Sequence, residues 1–341
     1  MAGLCAAARA RELGLDPVIY EKGTRPGGSM LLSSCVVWRY RTLEDFRAEC
    51  PGGDPRLQQL IVERFDEALE WLESLGAPVV WTETGNSRTI GKRLDPRGLA
   101  DVLVRAAGDV QLETSFPLGT EPLVLATGGY PVRFAQERGL LVRSNPWSEG
   151  DGIDFALERG AVLTAGMDEF YGRAMPAPPA EISEERFVEL AQLYGRHALV
   201  LNEHGDEFAP DPVSWSEIEL VQAIARQPAG RAWYVVDDAT LDVEIRGRKV
   251  SEMIAAARDA GGTVLTEGRR TRVHVTAGIT HTIGGLRVDD RARVLDEAGE
   301  PIRGLFAAGV DAGGISVGGY ASGLATALVL GLTAAEELAS L

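Results

Sequence analysis

Apolar and polar residues fall into blocks that predict a series of helices and strands. Apolar residues at helical spacing predict a core-facing helix over Leu57–Leu75, ended near Gly76. Asp95 and Pro96 suit the N-cap and first position of a second helix, which should run to about Ala107. Apolar runs of strand length predict a strand at Pro17–Glu21 and buried strands at Leu123–Gly129 and Leu305–Gly309.

The region from Met175 to about Arg270 differs from the sequence on either side. Three prolines interrupt it near its start, and the pattern then predicts short alternating elements. These are a polar helix Ser183–Tyr194, a strand Ala198–Asn202, a helix Ser216–Arg226, a strand Ala232–Val236 and a helix Val250–Ala260. We interpret the region as an inserted second domain.

The C-terminal region predicts a strand, a glycine-rich loop and a helix in succession. A glycine-kinked strand is expected at Thr280–Val288, followed by a hairpin that turns at Gly299. Val310–Gly319 is rich in glycine and leads into an apolar helix over Ala321–Leu332. A helix N-terminus after a strand and a glycine loop suits the anionic or carbonyl groups of a cofactor.

The start of the chain resembles half of a nucleotide-binding unit. A helix over Met1–Gly14 precedes the strand that ends in Glu21, which is the second half of a dinucleotide-binding βαβ unit. Gly3 suits the third glycine of the Gly-x-Gly-x-x-Gly turn, and Glu21 follows it by 18 positions. The first two glycines would then lie upstream of residue 1, so we expect a truncated N-terminus. The alternative is an ordinary amphipathic N-terminal helix.

Three further segments could bring backbone close to a ligand. Gly27 and Gly28 lie in the loop Lys22–Ser29, and their amides could approach a pyrophosphate, although an ordinary turn is the alternative. Paired glycines end the strand Leu123–Gly129. Ser148–Gly152 leads into a short helix whose N-terminus could also face a ligand.

Composition narrows the class of function. The chain has 341 residues, 45% of them apolar and 25% charged, and a formal charge of −16. These values indicate a globular protein and argue against nucleic-acid or membrane-surface binding. The three cysteines are interpreted as reduced thiols of a cytoplasmic protein, and four dispersed histidines suggest no metal site.

Taken together, the motifs resemble the flavoprotein family of fumarate reductase, succinate dehydrogenase, L-aspartate oxidase and ketosteroid dehydrogenase. The matching segments are Met1–Leu4, Glu21–Lys22, Gly27–Ser29, Ala126–Gly129, Gly150–Gly152, Thr282–Gly285, Gly304–Gly309 and Gly318–Gly331. The resemblance implies an FAD-dependent oxidoreductase of the α/β class. It also implies a Rossmann-like FAD-binding domain (1–174 and 271–341) interrupted by an α+β capping domain (175–270), with a small-molecule substrate held between cap and flavin.

The resemblance also assigns roles to individual residues. Glu21 would bind the adenosine ribose, Asp311 would face ribityl or ribose hydroxyls, and the helix that begins at Ser322, Leu324 and Ala325 would point its amides at the flavin pyrimidine ring. The remaining residues expected at the cofactor are Gly3, Lys22, Gly28, Ser29, Thr127, Gly128, Asp151 and Gly309.

Departures from the family bear on the substrate. Dicarboxylate-reducing members clamp the substrate with arginines and histidines. The corresponding positions here are Ser214–Ser216 and Gly318 for the arginines, Thr280 with His281 next to it for one histidine, and Tyr171–Ala174 for another. Without these cations two carboxylates would be held poorly, so fumarate or succinate chemistry is not expected. The connection Leu112–Leu123 is short, and with the missing first strand it puts FAD retention in question.

Four residues are candidates for catalysis, each with a structural alternative. Tyr171 and Tyr320 could donate a proton or hydrogen bond, Arg173 could bind an anion, and His281 could contact substrate or flavin. The structural alternative for Tyr171 and Arg173 is an ordinary surface strand end. For Tyr320 it is a packing role, and for His281 it is a histidine whose hydrogen bonds go to the backbone. The leading hypothesis is hydride transfer between flavin N5 and a C–C or C–X bond of a non-dicarboxylate substrate. The alternatives are a non-catalytic remnant with impaired FAD binding and a flavin monooxygenase; the redox partner is not identified.

Overall fold

The computed structural model describes residues 1–115 and 122–341, which divide into two compact units. The first unit comprises Met1–Pro131, Asn145–Glu169 and His281–Leu341. The second comprises Val132–Ser144 and Phe170–Thr280. The division into domains expected from the sequence stays a prediction. The short connection expected between Leu112 and Leu123 includes residues 116–121, which lie outside the described residues.

The described part of the chain contains both helices and strands. The α-helices there are α1 (Ala2–Glu12), α2 (Leu43–Glu49), α3 (Pro55–Ser74), α4 (Pro96–Ala107), α5 (Pro131–Arg138), α6 (Asp151–Leu157), α7 (Ile218–Ala225), α8 (Val250–Asp259) and α9 (Gly323–Ala339). The strands are β1 (Ile19–Tyr20), β2 (Val36–Tyr40), β3 (Val79–Trp81), β4 (Thr89–Leu94), β5 (Val110–Gln111), β6 (Leu123–Leu125), β7 (Leu141–Val142), β8 (Phe170–Pro176), β9 (Leu199–Leu201), β10 (Arg231–Asp237), β11 (Glu244–Ile245), β12 (Arg248–Lys249), β13 (Val264–Glu267), β14 (Arg270–Thr282), β15 (Arg293–Leu295) and β16 (Pro301–Ala307).

Side-chain caps begin the helices that the sequence predicted most clearly. Asp95 Oδ1 accepts from Gly98 N at 2.6 Å at the start of α4. Asp54 caps α3 in the same way, and Ser322 caps α9 by accepting from Ala325 N at 3.3 Å. Each cap satisfies amides that have no partner inside the helix, which fixes where the helix starts. These helix predictions are confirmed.

The first unit is built on small sheets covered by helices. Strand β1 pairs in parallel with β5, and β6 pairs in parallel with β16, which also pairs with β15. Strands β2, β4 and β3 form a separate antiparallel sheet. Helix α1 packs against α4 and α9, and its buried face is made almost entirely of small residues. That close packing puts the start of the chain in the centre of this unit's core.

The second unit is organised around the long strand β14. This strand pairs antiparallel with β10 and β13, and β10 continues the sheet to β9. Towards its C-terminal end β14 also pairs with β7 and β8. Buried aliphatic residues of β10, α7 and α8 supply the core of the unit.

Two elements expected from the sequence differ in the structure. Residues Ser183–Tyr194 do not form a helix, and only Glu184–Arg186 makes a 3-10 turn. Strand β14 ends at Thr282 instead of continuing to Val288. The glycines at 284 and 285 pack closely on Met167 and on the Asp311–Gly313 backbone, and beyond them the pairing continues as single bridges at Leu286 and Val288.

Two further features concern the environment of the chain. None of the helices in the described part of the chain has both the length and the apolar character needed to cross a bilayer. Cys5, Cys35 and Cys50 are free and buried, and burial raises the pKa of each thiol to about 12.

Candidate functional site

A chain of hydrogen bonds connects the first two glycine turns of the first unit. Asn145 N donates to Ser29 Oγ at 2.9 Å, beside the glycines of the 27–28 turn. Asn145 Nδ2 lies 3.5 Å from Ser148 Oγ, and Ser148 Oγ donates to Thr127 O at 3.2 Å. Asn145 and Ser148 are both buried. Residues far apart in sequence are thereby brought to one place, as the nucleotide-binding interpretation requires.

Asp311 extends this chain to the third glycine turn. Its carboxylate accepts from Thr127 Oγ1 at 2.7 Å and from Gly128 N at 3.1 Å, with Gly129 N at 3.4 Å. Asp311 is fully buried, and burial raises the pKa of its carboxyl while these hydrogen bonds oppose the shift. The carboxylate therefore holds the 127–129 turn to the 309–314 loop. The predicted contact of Asp311 with a cofactor hydroxyl stays a prediction.

Close backbone approach explains the glycine at position 128. Its φ is +93°, and a Cβ there would lie 2.6 Å from Ser148 Oγ. Gly28 also has a positive φ, of +56°, but a Cβ on it would have only Asn145 Nδ2 within 4 Å. The backbone of the first turn is thus open on that side, while the second turn is closed against Ser148.

The end of β1 carries the acidic residue expected at a ribose. Glu21 Oε1 accepts from Gly23 N at 2.8 Å. Lys22 Nζ donates to Glu149 at 2.5 Å and to Asp151 at 2.8 Å, and these hydrogen bonds raise the pKa of the Lys22 ammonium. Lys22 and Asp151 therefore bind each other, which joins the 21–25 turn to the start of α6.

The start of α9 packs on the half-buried His281. A Cβ on Gly323 would lie 3.2 Å from His281 Nε2. His281 Nδ1 lies 3.1 Å from Thr282 O, and because a carbonyl only accepts, Nδ1 carries the proton and Nε2 the lone pair. Burial lowers the pKa of His281, so the ring is neutral at neutral pH. The amide of Ala325 is used by the Ser322 cap.

An aromatic cluster adjoins the same end of α9. Tyr40 Oη donates to Tyr320 O at 2.5 Å, and the Trp38 ring lies 5.3 Å from Tyr40 and 5.4 Å from Tyr320, centroid to centroid. Both contacts have edge-to-face geometry, which aromatic pairs favour. Tyr320 is thus held by its backbone and its ring, next to the helix start.

The other two catalytic candidates lie in the second unit. The Arg173 guanidinium carbon is 5.1 Å from the Tyr171 ring centroid, and Arg173 Nη1 donates to Ser216 O at 2.5 Å. Arg173 and Glu217 are each 3% exposed. Burial raises the pKa of Glu217, and the charge of Arg173 acts in the opposite direction. A guanidinium from β8 therefore reaches the loop where the sequence has no arginine.

A carboxylate lies at each position where the family resemblance places a clamp arginine. In the second unit, Glu219 accepts from the amide of Ser214 and, at 2.7 Å, from its hydroxyl. In the first unit, Glu169 Oε2 accepts from Gly318 N at 2.8 Å. Each position therefore has a carboxylate beside it, and the Ser214–Ser216 loop also has the Arg173 guanidinium.

Sequence reasoning missed several residues that build these arrangements. Asn145, Ser148, Trp38 and Tyr40 were not predicted as site residues. Ser148 begins the recognised Ser148–Gly152 segment and Asn145 lies three residues before it, but Ser29 and Thr127, to which they connect, are more than twenty residues away. The role of Asn145 and Ser148 becomes visible only from the residues to which they are hydrogen-bonded in the structure. Within residues 1–115 and 122–341 no cluster of three or more metal-ligating side chains is present.

The residues at the linked turns fit an FAD. Gly28 presents open backbone, as a pyrophosphate requires, and Glu21 at the end of β1 is an acid of the kind that binds a ribose diol, although its contact with the ribose stays a prediction. Thr282 Oγ1 is buried without a hydrogen-bond partner and lies 3.0 Å from where a Cβ of Gly129 would be. A buried hydroxyl without a partner beside a glycine turn is explained by a polar ligand group at that place.

Comparison with known proteins gives the same assignment. The family model described as the FAD binding domain matches residues 1–114 and 111–326. The chain is 24% identical to the probable fumarate reductase Ifc3 of Shewanella frigidimarina (strain NCIMB 400), over 99% of this chain and 73% of that protein.

Solved structures agree on the fold. The 3-ketosteroid-Δ4-(5α)-dehydrogenase of Rhodococcus jostii RHA1, solved with 4-androstene-3,17-dione, matches with a TM-score of 0.72 and 17% identity. The match covers 99% of this chain and 94% of that one. The open conformation of a flavocytochrome c3 fumarate reductase matches with a TM-score of 0.71 and 22% identity, over 99% and 76%. The predicted α/β fold class is confirmed. The chain belongs to the FAD-binding flavoprotein family, and it is an FAD-dependent oxidoreductase.

Proposed function

We propose that the protein transfers hydride between FAD and a C–C or C–X bond of a small organic substrate that is not a dicarboxylate. FAD, when bound, accepts or returns the hydride at N5.

The observation that carries the proposal is the charge at the two clamp positions. Glu219 at Ser214 and Glu169 at Gly318 place carboxylates where a dicarboxylate would need cations. Like charges near one another repel, and because both carboxylates are half-buried, solvent screens this repulsion to about 0.5 kcal/mol for each charge. The Arg173 guanidinium donates to Ser216 O in the same loop, and it acts against the raised pKa that burial gives the Glu217 carboxyl.

His281 is suited to move a proton in this reaction. Its neutral ring carries the lone pair on Nε2, beside the first residue of α9, and its Nδ1 is fixed by Thr282 O. A neutral imidazole accepts a proton from a substrate carbon or hydroxyl at neutral pH. The half-buried Tyr320, three residues before the start of α9, and Tyr171 in the second unit are the alternative proton carriers.

The proposal is tested by reoxidising the reduced holoprotein without oxygen. Flavin absorbance at 450 nm is followed after mixing with fumarate, with a monocarboxylic enoate, or with an uncharged enone such as a 3-ketosteroid. We expect recovery with the enone and no recovery with fumarate. Reoxidation by fumarate at a rate equal to or above that with the enone would contradict the proposal. Failure of every acceptor would favour the non-catalytic alternative.

A further inference from the structure

A tryptophan lies directly on the turn that follows the ribose-binding acid. A Cβ built on Gly23 would be 2.4 Å from Trp147 Cε3 and 2.8 Å from Cδ2 and Cζ3. Gly23 does not have a positive φ, so the backbone conformation itself does not require glycine. The indole therefore accounts for the glycine, because any side chain at position 23 would displace the ring.

Charged residues on both sides hold this indole in place. Lys22 joins its turn to Glu149 and Asp151, two and four residues beyond the tryptophan. The Arg25 guanidinium carbon lies 5.7 Å from the Trp147 ring centroid. The turn Glu21–Arg25 and the loop Trp147–Asp151 are thus connected at three points within the first unit.

The position of the indole relates it to one part of the cofactor. Glu21, which the nucleotide-binding pattern assigns to the ribose of the adenosine half, accepts from Gly23 N. The residue after the tryptophan, Ser148, belongs to the hydrogen-bonded chain that joins the glycine turns. Adenine is attached to that ribose, so the base must lie near the Glu21–Gly23 turn. Trp147 is half-buried, which leaves part of its ring available for contact.

We infer that the Trp147 indole forms the aromatic wall against which the adenosine half of FAD packs, with Gly23 admitting the ring and Arg25 and Lys22 positioning it. Aromatic contact with a nucleobase changes affinity by about tenfold and depends little on hydrogen bonding. The wall acts on cofactors that contain adenosine and has no effect on the flavin half alone. Trp147 is therefore a determinant of FAD binding over FMN.

The test measures binding to the deflavinated protein with FAD, ADP and FMN as separate probes. Calorimetry should show that Trp147→Ala raises the dissociation constants for FAD and ADP about tenfold and leaves that for FMN unchanged. Gly23→Ala should have the same pattern, because its methyl group displaces the ring. Trp81→Ala is the matched control, since Trp81 is a 44% exposed tryptophan on β3, and it should leave all three dissociation constants unchanged.

A second readout does not depend on the alanine variant folding. ADP should quench tryptophan fluorescence in the unmodified protein. In Trp147→Phe the quenching should disappear, while the ADP dissociation constant stays within threefold because an aromatic ring remains. Quenching that persists in Trp147→Phe would overturn the inference. So would unchanged FAD and ADP affinities in a folded Trp147→Ala variant, or an FMN affinity that falls as far as that for FAD.

Discussion

The glycine turns of the first unit and the Ser214–Ser216 loop of the second unit hold their partners by different means. The turns are joined mainly through backbone atoms and neutral side chains, with Asp311 as the one buried charge that joins 127–129 to 309–314. The loop is surrounded by charged side chains, namely Arg173, Glu217 and Glu219. The arrangement of the glycine turns is therefore set mainly by backbone geometry, whereas the arrangement of the Ser214–Ser216 loop is set by which charged side chains surround it.

The largest effect is expected when the buried charge of the turns is removed. Asp311→Ala leaves the Thr127 hydroxyl and the Gly128 amide without their acceptor in a buried place. We expect a loss of about 3 kcal/mol in the free energy of unfolding, together with loss of FAD during gel filtration. Chemical denaturation measures the first and absorbance at 450 nm the second. Asp311→Asn, which retains an acceptor oxygen, should lose less; equal losses in both variants would contradict the role of the hydrogen bonds.

A smaller effect is expected at the outer end of the same region. Glu21→Ala removes the carboxylate proposed to bind the ribose diol. The free energy of FAD binding should become less favourable by about 2 kcal/mol, because hydrogen bonds to a charged group are worth about 1.5–3 kcal/mol. Titration of the deflavinated protein with FAD measures the change. Glu12→Ala, an acid on α1, serves as the control. An unchanged FAD dissociation constant would remove Glu21 from the site.

The pH dependence of stability should identify His281. Burial lowers its pKa in the folded state below the ordinary value of 6.5, so the unfolded chain takes up the proton more readily. The free energy of unfolding should therefore fall as pH drops below about 6.5, by at most about 1.4 kcal/mol per pH unit. His281→Gln should lack this part of the slope, while His197, whose pKa is also lowered by burial, remains in both proteins. Identical slopes would show that His281 is not the titrating group.

The smallest effect is expected from the acids at the clamp positions. Glu219→Gln and Glu169→Gln each remove one negative charge and should tighten succinate binding by about two- to threefold, because partly exposed charges are screened. Flavin absorbance changes on titration with succinate measure the affinity. Glu267→Gln removes an exposed acid elsewhere and provides the comparison. Tightening of the same size in Glu267→Gln would mean that only net charge matters.

Local sequence signals predicted the elements that are determined locally. Asp95 and Pro96 predicted the start of α4, and the structure has the cap hydrogen bond from Gly98 N. The helix expected over Ser183–Tyr194 is wrong, although Phe187, Leu190 and Tyr194 are buried at helical spacing. There Gln192 N donates to Ala174 O and the Gln192 side chain to Met253 O, so contacts with other elements replace the helical hydrogen bonds.

Some residues of the candidate site also leave a local signal in the sequence, and others do not. The glycine turns and Glu21 were recognisable because close backbone approach and an acid at fixed spacing leave a signal in the sequence. The carboxylate at Gly318 was not recognisable, since Glu169 lies 149 residues from Gly318 in the sequence. Nothing local distinguishes Glu169 from the other acids of a chain with 50 of them.

The three buried thiols make the opening of the first unit measurable by alkylation. Cys5, Cys35 and Cys50 all belong to the first unit, and the rest of the sequence contains no cysteine. A thiol with a pKa of about 12 inside a closed core does not react with an alkylating reagent until its surroundings open. The rate of thiol alkylation, followed by mass spectrometry, would therefore measure local opening of the first unit alone. Slower alkylation after addition of FAD would report binding of FAD without any measurement of turnover.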